Sequence, residues 1–242
     1  VFMKLLKIPF DACGMGHGQG AREAPQKIIE ALENIYTSEG GMKHNFEYVD
    51  VETPNDNVAL AHVNIATAVP KECFVALGGD HSITHPLVTG FANHHGRDIK
   101  FIVFDAHPDL VNNFHPPSQE DYLKTLIEDG ILKPENVLLV GLRNSDPLEI
   151  EYMKEKNISY ITSKDMYEKG MKWVQEQLVA FSQNAILYCS FDIDVVDPAF
   201  APGTGWCEPA GITSREALTL VQTIAPLVHS VDIVEVNPPM DV

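Results

Sequence analysis

The stretch Phe101-Ile102-Val103-Phe104-Asp105-Ala106-His107-Pro108-Asp109 decides the fold. Four apolar residues in a row read as a strand buried on both faces, the signature of a parallel sheet covered on each side. Polarity then changes at once, with two aspartates flanking a histidine at alternating positions. Open parallel sheets hold their ligands beyond the carboxyl ends of the strands, so the run reads as one strand and its working end.

Working outward, the same alternation covers the chain. Strand candidates are Lys4–Pro9, Phe46–Val51, Cys73–Leu77, Lys100–Phe104, Val137–Val140, Ile158–Ile161, Ile186–Phe191 and Ser230–Val236. Helical patterns lie between them over Pro25–Tyr36, Val58–Ala68, His85–His94, Glu120–Asp129, Pro147–Glu155, Ser163–Phe181 and Ser214–Leu227. Pro25 suits a first helical turn, and Asp146, Ser163 and Ser214 suit N-caps. Strand–helix alternation of this kind predicts an α/β protein with one parallel sheet and helices on both faces.

Composition is consistent with that reading. The chain has 242 residues, 45% hydrophobic and 21% charged, the profile of a globular protein rather than a disordered one. A chain of this length buries roughly 70–75% of its unfolded surface and needs no disulfide or metal to fold. It is read as a single domain over residues 1–242. Acidic residues number 34 and basic residues 17, a net charge of −17. That balance argues against nucleic acid or an anionic membrane as partner and permits a cationic substrate or divalent metals. No 18-residue apolar run and no targeting signal is visible, and Cys13, Cys73, Cys189 and Cys207 show no C-x-x-C spacing. These point to a cytoplasmic protein with reduced thiols. Val1 and Phe2 precede Met3, which reads as the natural start.

The unusual polar residues follow the strands. Gly78-Gly79-Asp80-His81-Ser82 comes after the third, Asp105-Ala106-His107-Pro108-Asp109 after the fourth and Asp192-Ile193-Asp194 after the seventh. Glu235 stands near the end of the eighth. In extended backbone i and i+2 point the same way, so Asp105, His107 and Asp109 share a side, as do Asp192 and Asp194. Carboxylates so crowded repel and raise one another's pKa; two divalent ions would neutralise four of them. Carboxylate and imidazole ligation without sulfur suits manganese, with iron, cobalt, nickel or zinc less selectively. Two ions about 3.5–4 Å apart can share a water and acidify it, giving a nucleophile without Ser or Cys.

These motifs, with Ala201-Pro202-Gly203-Thr204-Gly205 and Val234–Pro238, resemble the ureohydrolase family of arginase, agmatinase and formimidoylglutamase. The likeness runs from Gly78 to Asn237, with Gly16–Pro25 as the segment leading into the site. It implies a three-layer αβα fold around a central eight-stranded, mostly parallel sheet. It implies two Mn2+ per subunit, held by His81, Asp105, His107, Asp109, Asp192 and Asp194, and a trimer or hexamer of identical chains. The activity implied is hydrolysis of a guanidino C–N bond, in arginine, agmatine or a related compound, to urea and an amine by attack of metal-bound hydroxide. Glu235 matches the carboxylate that pairs with the guanidinium, and Asp109 the residue that assists the hydroxide and protonates the leaving amine. Alternatives are a formimidoylglutamase-like hydrolase of another linear amide or amidine, and an inactive metal-binding relative acting by assembly or sensing.

The sequence departs from the family in three places. The loop after Asp109 is short, so the family's proton-shuttling histidine corresponds to His115, or to Gln119 if the following helix is aligned without a gap. Trp206 stands where a small Thr-Pro is usual, and either narrows the pocket mouth or fills the core; Cys207 beside it reads as a small buried residue. The chain stops at Val242, before an expected further helix, which suggests truncation at the C-terminus. The segment Gly141–Glu149 leans toward arginase: Asp146 and Glu149 match acidic residues that contact the α-amino group of the substrate, although Asp146 also suits a helix cap.

Overall fold

The computed structural model describes residues 3–16 and 19–241. Val1 and Phe2, and His17 and Gly18 of the Gly16–Pro25 segment, lie outside the described residues, as does Val242. Eight strands form one sheet: β1 (Met3–Lys7), β2 (Phe46–Asp50), β3 (Phe74–Leu77), β4 (Ile99–Phe104), β5 (Val137–Leu142), β6 (Ser159–Thr162), β7 (Ile186–Asp192) and β8 (Ser230–Val234). Their order is β2-β1-β3-β8-β7-β4-β5-β6, and every neighbouring pair is parallel. The eight expected strands are all present.

Strand periodicity builds the three layers. In β4, Phe101 and Val103 face one core, with Leu87, Phe91, Leu123 and Leu126, while Ile102 and Phe104 face the other, with Val174, Leu178 and Leu220. Successive side chains of a strand point to opposite faces, so one apolar run feeds both layers. Each such buried side chain contributes about 1.5–3 kcal/mol of transfer free energy. The first layer is built by α2 (Val58–Ala68), α3 (Thr84–His95), α4 (Tyr122–Glu128) and α5 (Pro147–Lys156), the second by α6 (Ser163–Lys169), α7 (Met171–Ser182) and α8 (Ser214–Ile224); α1 (Ala24–Leu32) lies near β3.

Two helix readings are corrected. The pattern over Ser163–Phe181 is two helices, because Gly170 adopts a left-handed φ of 82°, ending α6 and preceding α7. The caps of α6 and α8 are Thr162 and Thr213, one residue before the expected Ser163 and Ser214. Each threonine hydroxyl accepts from the backbone N–H three residues on, and Asp165 or Glu216 reaches back to the cap N–H. Asp146 does cap α5, with Glu149 closing the same reciprocal box.

One glycine positions the site. A Cβ on Gly79 would lie 1.8 Å from the carbonyl oxygen of Phe10, a backbone atom that accepts from Asp80 N–H at 3.0 Å. The loop bearing Asp80 and His81 is thus seated on the chain after β1 by a contact no larger residue permits. Gly79→Ala is expected to lower the unfolding free energy by about 2–3 kcal/mol in chemical denaturation; an unchanged midpoint and slope would show that this approach is not needed.

Candidate metal centre and substrate cavity

Four strands adjacent in the sheet, β3, β8, β7 and β4, deliver the polar cluster at their carboxyl ends. Asp80 N-caps the short turn His81–Ile83, accepting from Ser82 N–H at 3.0 Å and from Cys13 N–H at 2.9 Å. Asp105 begins the loop after β4 and accepts from His107 N–H at 2.6 Å. Asp192 ends β7 and accepts from Asp194 N–H at 2.8 Å, winding Ile193–Val195 into a 3-10 turn. Glu235 follows β8, outside the strand expected to contain it. The approach of these groups is less regular than an extended i, i+2 pattern, since Asp109 and Glu235 both have left-handed backbones, with φ of 56° and 62°. Non-glycine residues held this way mark sites where tertiary structure overrides local preference.

The side chains converge. His81 Nδ1 lies 3.2 Å from Asp105 Oδ2, 3.2 Å from Asp109 Oδ2 and 3.1 Å from Asp192 Oδ2. His107 Nδ1 lies 3.0 Å from Asp194 Oδ2 and 3.5 Å from Asp105 Oδ1. All six residues are buried except His107, which is partly exposed. Burial pushes the carboxyls of Asp192 and Asp194 up, reinforced by their aspartate neighbours, and lifts Asp109 to about 7, reinforced by Asp105. His107 goes the other way: burial disfavours its charge, but Asp105 and Asp194 outweigh that and raise it to about 12. These opposed shifts express a surplus of buried negative charge.

The donors suit divalent cations. His81, Asp105 and Asp192 each offer one atom within 4.8 Å of the others, and Asp105, His107 and Asp194 form a second such group. Asp105 belongs to both. His81 Nδ1 and Asp105 Oδ2 are buried with no hydrogen-bond partner, the condition of ligand atoms whose partner is an ion rather than a proton. The nitrogen and oxygen donors fit first-row divalent ions.

Above the cluster opens a cavity of about 430 Å³, lined by His81, His107, Asp109, Asp192, Asp194 and Glu235 at its floor. Glu235 Oε1 accepts from His81 N–H at 2.6 Å, while its buried Oε2 has no hydrogen-bond partner. Gln119 lines the cavity as well. In the amide orientation that satisfies both its atoms, its nitrogen donates to Glu235 Oε1 at 3.2 Å and its oxygen accepts from Met15 N–H at 3.3 Å. His115 is not there. Its side chain is 55% exposed, and Nε2 lies 3.2 Å from Asp129 Oδ1 after α4. The loop turns His115 outward and brings Gln119 inward, since Asp121 accepts from the backbone N–H of Phe114 and of Ser118. Of the two candidates, Gln119 is the one that lines the cavity.

Other expectations find their places. Asp146 and Glu149 line the cavity while capping α5, and Glu149 Oε1 also accepts from Leu110 N–H at 2.8 Å. Trp206 is on the cavity wall, its ring 6.3 Å from that of His107. Cys207 is exposed rather than buried, because the loop around it runs over the surface. Three residues were not singled out from sequence. Glu208 Oε1 lies 3.5 Å from His107 Nε2 and accepts from Asn144 at 2.8 Å. Ser190 and Asp232 sit beneath His81. Asp232 gave one signal, a carboxylate in the middle of an apolar strand run, which is costly unless paired.

The Arginase family model matches residues 3–242. The chain belongs to the arginase family. The arginase of Staphylococcus aureus is 30% identical over 229 residues, covering 87% of this chain and 74% of that protein. The agmatinase of Escherichia coli is 29% identical over 250 residues, covering 97% and 79%. The crystal structure of formimidoylglutamase from Bacillus subtilis superposes with a TM-score of 0.90 at 26% identity, over 100% of this chain and 81% of that one. The chain is an arginase-family hydrolase, of the class acting on amidino C–N bonds. Among the described residues no helix is long and apolar enough to cross a membrane.

The placement of the two loop residues separates their effects. His115→Ala should leave turnover of an amidino substrate within about twofold of the parent. Gln119→Ala, which frees Glu235 from one of its two donors, should lower kcat/KM about tenfold, or ~1.4 kcal/mol. Steady-state kinetics on both variants decides; a large rate loss in His115→Ala alone would return the shuttle to His115.

Proposed function

We propose that this hydrolase is a binuclear amidinohydrolase that cleaves a guanidino C–N bond and releases urea and an amine. The observation that carries the reading is the pair of three-atom donor groups sharing Asp105, set in the cavity floor beside Glu235. Divalent cations held there, manganese by the family resemblance, supply Lewis acidity that acidifies water and offsets developing negative charge. His81, Asp105, His107, Asp109, Asp192 and Asp194 would hold the cations, with Asp105 common to the two donor groups. The same resemblance carries a homo-oligomer, a trimer or hexamer.

The chain's own residues do the rest. Glu235 Oε2 is the open acceptor for a guanidinium N–H, a charge-assisted bond that fixes the plane of the substrate. Gln119 and His81 N–H hold its other oxygen, so the carboxylate cannot swing away as the carbon becomes tetrahedral. Asp109, on the cavity floor, matches the family residue that passes a proton to the leaving amine and would do so here. Val111, Pro147 and Trp206 line the cavity beside Glu120 and Asp146, offering apolar wall to a methylene tail and carboxylates to a cationic far end. The likeness to formimidoylglutamase supports a second reading, a formimino substrate releasing formamide.

The test is a panel. Manganese-loaded protein is incubated with guanidino, formimino and acyl-amine compounds, and urea, formamide, acetate and ammonia are measured. Urea from a guanidino compound is expected. Formamide without urea would shift the assignment to the second reading, and no product from any compound would refute the hydrolase reading of this site. Asp192→Asn, which removes a donor atom from the first group, should cut both bound manganese and turnover by more than about a hundredfold. Full retention of either would contradict the binuclear assignment.

A further inference from the structure

Beneath the cavity floor lies a chain of buried hydroxyls that the reaction does not touch. His81 Nε2 is 2.9 Å from Ser190 Oγ, and Ser190 Oγ is 2.5 Å from Asp232 Oδ1. Asp232 Oδ2 accepts from Tyr188 Oη at 2.8 Å and from Thr84 Oγ1 at 3.2 Å. The Thr84 hydroxyl also lies 3.4 Å from Ser190 Oγ. Asp232, Ser190, Tyr188 and Thr84 are all fully buried. Ser190 and Asp232 are register partners in β7 and β8, so the sheet itself sets their distance.

Proton counting fixes the direction of the chain. A carboxylate accepts only, so Asp232 takes the single hydroxyl hydrogen of Ser190. Ser190 is then an acceptor toward His81, and His81 must carry its proton on Nε2. That leaves Nδ1 with its lone pair, facing Asp105, Asp109 and Asp192 at 3.1–3.2 Å. Stacking of Tyr122 on the imidazole, with ring centroids 4.2 Å apart, holds the ring plane.

We infer that Asp232 is a positioning residue which, acting through Ser190, locks His81 in the tautomer and orientation that offer Nδ1 to a cation. The inference rests on the binuclear reading above. Its energetic effect is local: the His81–Asp105–Asp192 group depends on the relay, and the Asp105–His107–Asp194 group does not.

Titration of the full chain with Mn2+, following free Mn2+ by electron paramagnetic resonance, resolves the two sites. In Asp232→Asn one site is expected to lose about tenfold to a hundredfold in affinity, while the other stays within about threefold. Ser190→Ala, which deletes only a hydroxyl, should do the same and covers the case in which Asp232→Asn does not fold. Tyr188→Phe removes a different donor to the same carboxylate and should leave both sites within about threefold. In Zn2+-loaded protein with 15N-labelled histidine, His81 should show a proton on Nε2, with that signal exchanging faster in Ser190→Ala. Wild-type affinity at both sites in Asp232→Asn or Ser190→Ala, equal loss at both sites, a Tyr188→Phe loss as large as theirs, or a proton on His81 Nδ1 would each overturn the relay alone. A parent protein that takes up no divalent cation would overturn the binuclear reading and the relay with it.

Discussion

Mutual repulsion among buried carboxylates is the constraint on which the rest of this structure depends. Asp105, Asp109, Asp192 and Asp194 meet at the carboxyl ends of β4 and β7, where burial already penalises charge. Two imidazoles cannot balance four such groups. The surroundings therefore hold three of the four with fixed donors: Asp105 by His107 N–H, Asp192 by Asp194 N–H and Asp194 by Ala106 N–H. The hydrophobic layers on each face supply the stability against which the cluster is maintained. Strand order forces the meeting, since the sheet pairs β3 with β8 and β4 with β7, strands far apart in sequence.

Much of this was legible in the sequence. Continuous apolar runs such as Phe101–Phe104 identify strands buried on both faces, and the polar residues after them mark the ligand end. Those signals depend on burial and on period two, which are written locally. The cluster residues were legible for the same reason, because each follows its own strand. What was not legible depends on backbone turns. Gly170 divides one helical pattern into two by a left-handed φ, and the threonine caps precede the serines by one residue. The loop from Leu110 to Gln119 was ambiguous because nothing local says which of two polar residues faces inward. Asp121, through the Phe114 and Ser118 amides, resolves it in favour of Gln119.

Gln119 also changes the chemistry expected of the cavity. A histidine beside Glu235 would titrate near neutrality; an amide carries no proton and instead fixes a carboxylate. Asp146 shows how one residue serves two demands, its Oδ1 accepting from Leu148 N–H to cap α5 while the residue also lines the cavity wall. The net charge of −17 thus divides into a part with local purpose and a remainder spread over the surface.

The central claim is that the shared-aspartate cluster holds two cations. Anomalous diffraction at the manganese edge from crystals grown with Mn2+ tests it most directly. The expected result is two peaks, one against His81, Asp105 and Asp192 and one against Asp105, His107 and Asp194. No peak at the cluster, or a single peak touching only one of the two groups, would contradict it.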